Sequence, residues 1–122
     1  MLYVGIDVAK DELVVAGCDA AEWFSLEASY PNTKPGIARL VKQLKSLGEL
    51  RVCLEPTSSY HLAALAALLK LPGRVSVVNP AAARQYARAT MRRGKTDRTD
   101  ARVLARYGLH CDPAEYCPPS TA

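Results

Sequence analysis

The sequence predicts a mixed α/β domain: a five-stranded sheet, built as an antiparallel meander of three strands plus two parallel strands, with flanking helices. Three observations carry this. Residues 2–29 hold three short apolar runs separated by tight turns. From residue 37 onward, segments with helical spacing alternate with short valine-containing runs. The 122 residues, 49% hydrophobic and 23% charged, supply one modest core and lack the composition of a disordered chain.

Leu2 to Asp7 is an apolar run that closes on an acid, and Lys10-Asp11-Glu12 turns the chain. Leu13 to Gly17 is the second run, and Glu22 to Ser29 alternates in part between apolar and polar residues. The breaker cluster Pro31-Asn32-Thr33-Lys34-Pro35-Gly36 follows. Thr33 is placed to cap the next helix, with Pro35 in its first turn. Ile37, Leu40, Val41, Leu44 and Leu47 mark one buried stripe, and Gly48 ends it. Arg51 to Glu55 is a fourth strand, again closing on an acid and stopped by Pro56. Ser58 or Ser59 caps a helix running to about Leu71, apolar nearly all round and therefore expected to be buried. Pro72-Gly73 is a turn, and Val75 to Val78 is a fifth strand ended by Asn79-Pro80. Residues 81–108 read as helix with a break near Gly94. The domain is thus expected over residues 1–108, with 109–122, which hold three prolines, as a tail or the start of a linker. Right-handed crossovers place the fourth strand parallel to the first and beside it.

Charge is unevenly spread. The net charge is +4, yet residues 81–106 carry eight basic and two acidic side chains while the rest of the chain is slightly acidic. A basic segment of this kind fits either a polyanionic partner or a solvated helical face. No stretch approaches the ~20 apolar residues of a membrane span. The start of the chain lacks the charged and apolar regions of a signal peptide, so a cytoplasmic protein is expected. Cys18 and Cys53 then read as reduced core thiols, and His110, Cys111 and Cys117 lack the spacing of a paired zinc motif.

The two acids in the basic segment are Asp97 and Asp100. On a wheel of ~100° per residue they share a side with Ala101 and Leu104, while Arg98, Arg102 and Arg106 lie roughly opposite. If Leu104 faces the sheet, so do both aspartates. Asp7 and Glu55, at the ends of neighbouring parallel strands, would sit near the ~4.8 Å strand spacing, in the crevice where open α/β sheets bind ligands. Four carboxylates from three elements suit a hard divalent ion such as Mg²⁺, and paired ions suit phosphodiester chemistry. Each acid also has a structural role open to it. Asp7 fits a turn, Glu55 an exposed position, Asp97 a helix cap, and Asp100 the positive end of a helix dipole.

Four segments occur in order: Gly5-Ile6-Asp7-Val8-Ala9-Lys10, Glu55-Pro56-Thr57-Ser58-Ser59-Tyr60, Val77-Val78-Asn79-Pro80, and Lys95-Thr96-Asp97-Arg98-Thr99-Asp100-Ala101-Arg102-Val103-Leu104-Ala105. Together they resemble the N-terminal domain of the DEDD transposases of bacterial insertion sequences, relatives of the Piv DNA invertases. The resemblance covers residues 2–108. Gly-Ile-Asp alone also opens sugar kinases and actin-like ATPases, but no glycine-rich phosphate loop supports that reading. The last two segments carry the specificity.

The resemblance implies a RuvC-like fold of the ribonuclease H type, with Asp7, Glu55, Asp97 and Asp100 as catalytic ligands of Mg²⁺ or Mn²⁺. It implies nucleic-acid contacts from the basic segment, here Arg84, Arg88, Arg92, Arg93, Lys95, Arg98 and Arg102. It also implies DNA and a structured bridge RNA as partners, a homo-oligomer in the bacterial cytoplasm, and a further domain bearing a serine nucleophile. The function expected is that of the metal-binding domain of a DEDD transposase, incomplete alone. The alternative is a non-catalytic nucleic-acid-binding or oligomerisation module derived from one. Ser58 departs from the family pattern, which places glycine after Glu-x-Thr.

Overall fold

The structure is a computed structural model that describes residues 1–90 and 101–118. Its strands are β1 (Leu2–Val8), β2 (Glu12–Cys18), β3 (Phe24–Pro31), β4 (Leu50–Leu54) and β5 (Gly73–Val77). The helices are α1 (Lys34–Lys45), α2 (Leu62–Leu68), α3 (Pro80–Thr90) and α4 (Ala101–Cys111). One sheet holds the strands in the order β3-β2-β1-β4-β5. β1–β2 and β2–β3 are antiparallel, while β1–β4 and β4–β5 are parallel. This is the mixed, RuvC-like sheet expected from the sequence.

Alternation along the strands divides the sheet into two faces. Val4, Ile6 and Val8 of β1, Leu13 and Val15 of β2, and Val52 and Leu54 of β4 pack with Leu40 and Leu44 of α1 and Leu65 and Leu68 of α2. The opposite face carries Cys53, which packs with Val78, Ala83 of α3 and Leu104 of α4. The domain is therefore three layers, with the sheet between two pairs of helices.

Thr33 caps α1 as expected, its hydroxyl accepting from the Gly36 N–H at 3.2 Å. Beyond α1, Gly48 takes a left-handed φ of 86°, which glycine adopts without steric cost. Pro31 lies inside β3 rather than outside it. β3 is an edge strand, where a missing N–H leaves no ladder bond unmade.

Two expectations about α2 need correction. α2 is capped by neither Ser58 nor Ser59: it begins at Leu62, with His61 at the cap position and no side-chain capping bond. Residues 57–61 form a turn instead, in which the Thr57 N–H donates to His61 Nδ1 at 3.2 Å and Tyr60 N–H to the Thr57 carbonyl at 2.9 Å. Nor is α2 buried all round. Ala64, Leu65 and Leu68 face the core, while Leu62 is 53% exposed, because only one side of the helix meets the sheet. α4 runs to Cys111, and residues 112–116 make contacts back to the sheet. Asp112 pairs with Arg51 of β4 and Arg74 of β5, Pro113 accepts from Ser76 Oγ, and the Tyr116 N–H donates to the Val75 carbonyl at 2.7 Å. These partners lie more than 35 residues upstream, so no local pattern announces them. The break expected near Gly94 lies outside the described residues.

The feature that positions the site is the seat of α4. A Cβ built on Gly5 of β1 would lie 2.0 Å from the Ala101 carbonyl oxygen, 2.5 Å from Ala105 N and 2.8 Å from Leu104 Cβ. The helix backbone thus rests directly on the strand, one alternation away from Asp7. Further along, a Cβ on Gly108 would lie 2.9 Å from Cys53 Sγ, so α4 crosses from β1 towards β4.

Candidate metal and nucleic-acid site

β1 and β4 stay in parallel register up to the pair Ile6–Leu54. Asp7 and Glu55 are the next residues on each strand, and they emerge together at the carboxyl ends, as expected. Strand alternation puts Asp7 on the face of Gly5 and Glu55 on the face of Cys53, the side covered by α4. The two exits are also tied from outside. Asn32 Nδ2 donates to the Ala9 carbonyl, two residues past Asp7, and to the Tyr60 carbonyl, five past Glu55, at 2.9 Å each.

Glu55 is the more perturbed acid. Burial raises its carboxyl above the usual range, the neighbouring Asp7 charge raises it further, and Arg84 opposes both. Its Oε1 is shut off from solvent with no hydrogen-bond partner among the described residues. A buried carboxylate oxygen beside a second acid is satisfied by a shared proton or by a cation. The donor set is oxygen alone, which fits hard divalent ions such as Mg²⁺ or Mn²⁺ better than zinc.

The turn after Glu55 accommodates the departure at Ser58. Ser58 has φ of 53°, in the left-handed region that glycine enters freely. The position where the resemblance leads one to expect glycine thus holds a serine in a conformation that favours glycine.

Arg84 and Arg88 lie on exposed positions of α3, which starts just after β5 and is capped by the Asn79 side chain accepting from Ala81 N–H at 2.8 Å. The Val78 N–H donates to the Leu54 carbonyl at 2.8 Å, which brings the start of α3 beside Glu55. Arg102 lies on α4, pairs through Nε with Glu27 of β3, and sits 5.4 Å over the Phe24 ring. Ala101 and Leu104 are buried against the sheet, the side on which the helical wheel groups them with Asp97 and Asp100. Asp97, Asp100, Arg92, Arg93, Lys95 and Arg98 themselves lie outside the described residues. Among the described residues, no third His, Cys, Asp or Glu joins Asp7 and Glu55.

Sequence reasoning missed a second polar cluster. Tyr86 Oη and His110 Nδ1 are 2.6 Å apart, His110 Nε2 lies 3.3 Å from Glu22, and Glu22 also pairs with Arg106 at 3.2 Å. It joins α3, α4 and the β2–β3 turn, and nothing in the local sequence signals it.

Residues 4–121 match the sequence profile of the IS110-type DEDD transposases. The chain belongs to this transposase family. It is 30% identical over 122 residues to the pilin gene-inverting protein of Moraxella bovis and 29% identical to that of Moraxella lacunata. Each alignment takes in 97% of this chain, which spans 37% of the length of these relatives. Among solved structures, the ethanolamine utilization protein EutJ from Carboxydothermus hydrogenoformans is similar over 71% of this chain and 40% of its own, with TM-score 0.43 and 12% identity. Among the described residues, no helix is long and apolar enough to cross a membrane.

Proposed function

We propose that this chain supplies the metal-binding, RuvC-like part of a transposase that carries out phosphodiester transfer on DNA. The observation that carries this reading is the pairing of Asp7 with Glu55, whose Oε1 is buried without a hydrogen-bond partner among the described residues, at the end of two parallel strands. Asp7 and Glu55 hold the divalent ion, with Asp97 and Asp100 completing its oxygen ligands. Bound there, Mg²⁺ or Mn²⁺ supplies charge stabilisation for attacking and leaving oxygens at a phosphate. Arg84, Arg88 and Arg102, with Arg92, Arg93, Lys95 and Arg98, bind the nucleic-acid backbone. The Gly5 contact fixes the distance between α4 and β1, and so orients the start of that helix over Asp7. In the whole protein, the chain after α4 leads to a serine-bearing domain, and the assembly is a bacterial cytoplasmic oligomer guided by a structured RNA.

The test is thermal unfolding with and without divalent ion. An ion at a hundred times its Kd stabilises by about 2.7 kcal/mol. Mg²⁺ or Mn²⁺ should therefore raise Tm by several degrees in the wild type and not in the Asp7→Ala, Glu55→Ala double variant. Equal shifts in both would remove the site. DNA binding should weaken steeply with salt, since each neutralised phosphate releases counterions. Flat salt dependence would remove the nucleic-acid half of the proposal.

A further inference from the structure

The single tryptophan of the chain, Trp23, is 72% exposed. The backbone that carries it is nevertheless tied. Asp19 Oδ1 accepts from the Ala21 and Trp23 N–H groups at 2.9 and 3.0 Å. The Asp19 N–H donates to the Trp23 carbonyl at 3.2 Å, and the Glu22 N–H to the Asp19 carbonyl at 3.0 Å. The β2–β3 turn is thus a tied loop that holds an indole in water. Indole in water is unfavourable, and ordering the loop around it adds entropy cost. Its surroundings indicate what it is held for.

Next to Trp23, the Phe24 ring lies beneath two guanidinium groups, those of Arg102 at 5.4 Å and Arg106 at 5.0 Å. Glu27 and Glu22 engage these arginines through Nε. Among the described residues, Arg102 also borders a groove of about 440 Å³ between the start of α4 and β2 and β3. Asp7, Val14, Glu27, Ser29 and Ala101 are among the residues that line it with Arg102. Asp7, Val14 and Ser29 stand in register across three strands. From that row, five residues of β3 lead back to Phe24, a span of roughly 17 Å. The surface therefore runs from Asp7, past Arg102 and Arg106, to the tied β2–β3 turn that carries the exposed Trp23.

We propose that this surface is a track for an unpaired segment of nucleic acid, whose backbone passes Arg102 and Arg106 and one of whose bases stacks on Trp23. The proposal deepens the nucleic-acid reading above and rests on it. An arginine-bordered groove ending in an aromatic platform is the arrangement that binds single strands without reading sequence. A duplex presents no unstacked base to the indole. The acids beside the track, Asp19, Glu22 and Glu27, act against random binding of polyanions and hold the guanidinium planes in place.

Because Trp23 is the only tryptophan, its fluorescence reports the contact directly. The experiment titrates the full chain, in low salt with EDTA, with a labelled oligothymidylate and separately with a duplex. Anisotropy follows binding and tryptophan emission follows stacking. Quenching should saturate together with anisotropy for the single strand and be absent for the duplex. Trp23→Ala should weaken single-strand binding about 5- to 150-fold, as loss of one stacked base does, and Trp23→Phe should restore most of it. Single-strand binding without quenching would overturn the track and leave the nucleic-acid reading standing. No binding to either probe would overturn both. Equal quenching by duplex would overturn base stacking. A blue shift that grows with protein concentration before any nucleic acid is added would assign Trp23 to a contact between copies, and the track would fall.

Discussion

Replacing Gly5 with alanine tests whether the seat of α4 on β1 holds the two sides of the site together. The added Cβ would meet the Ala101 oxygen at 2.0 Å and Ala105 N at 2.5 Å, where real Cβ contacts stay above 3.0 Å. Both obstacles are backbone, so no side-chain rotation relieves them, and α4 must withdraw by about 1 Å. A gap of 0.5–1 Å forfeits roughly a quarter to a half of the contact energy across it. The withdrawal loosens Ala101, Leu104 and Ala105, all buried beneath the helix. Overpacking costs of about 1–3 kcal/mol are usual, and the rigid obstacles place this one near the upper end, at about 3 kcal/mol. For a domain of this length that is roughly 10 °C in Tm. Urea unfolding followed by circular dichroism should show a lower midpoint with an unchanged slope. Gly48→Ala is the control, because nothing lies within 4 Å of its Cβ and only its φ of 86° is penalised. It should cost about 1 kcal/mol. A Gly5→Ala loss no larger than that of Gly48→Ala would refute the close-seat argument.

Other outcomes follow from the same geometry. Ser58→Gly should stabilise by about 0.5 kcal/mol, since relief of ~1 kcal/mol of left-handed strain exceeds the added unfolded-state entropy; a lower Tm would count against strain at Ser58. The raised Glu55 carboxyl gives a pH signature with a definite sign. Between its unfolded value near 4.5 and its higher folded value, the native state binds the extra proton, so metal-free stability falls as pH rises through that window. The difference between wild type and Glu55→Gln should trace that fall, and saturating Mg²⁺ should abolish it. A difference that grows with pH instead would mean that Glu55 is stabilised as the anion.

Much of this arrangement was legible in the sequence because it rests on short-range chemistry. The apolar runs closing on Asp7 and Glu55, the Thr33 cap and the Leu40 and Leu44 stripe each show in a few consecutive residues. Chain-crossing rules then sufficed to put β4 beside β1, and with it Glu55 beside Asp7. The start of α2 was misplaced because the serines at 58 and 59 look like caps, while the turn is closed by an imidazole, a use of His61 that no spacing rule encodes. The contacts of residues 112–116 are not legible in the sequence for another reason. Proline-containing chain without periodicity looks the same whether it trails or is held by Arg51 and Arg74. Trp23 was visible as a letter, but its exposure depends on a loop tied by Asp19, which only the folded turn displays.

The amide of Asn32 belongs to neither acid-bearing strand, yet it grips the loops that follow both. On the proposed metal reading, its consequence is ion selectivity. Mg²⁺ demands near-ideal octahedral geometry at 2.0–2.1 Å, whereas Ca²⁺ accepts looser shells at 2.3–2.6 Å. A clasp that keeps the two exits from spreading favours the smaller ion, and releasing it admits the larger one. Asn32→Ala should therefore alter the ratio of the Mg²⁺ and Ca²⁺ melting shifts in favour of Ca²⁺, and an unchanged ratio would show that the acids keep their spacing unaided. On the proposed metal reading, the choice of ion would be set partly by a loop residue outside the acid-bearing strands.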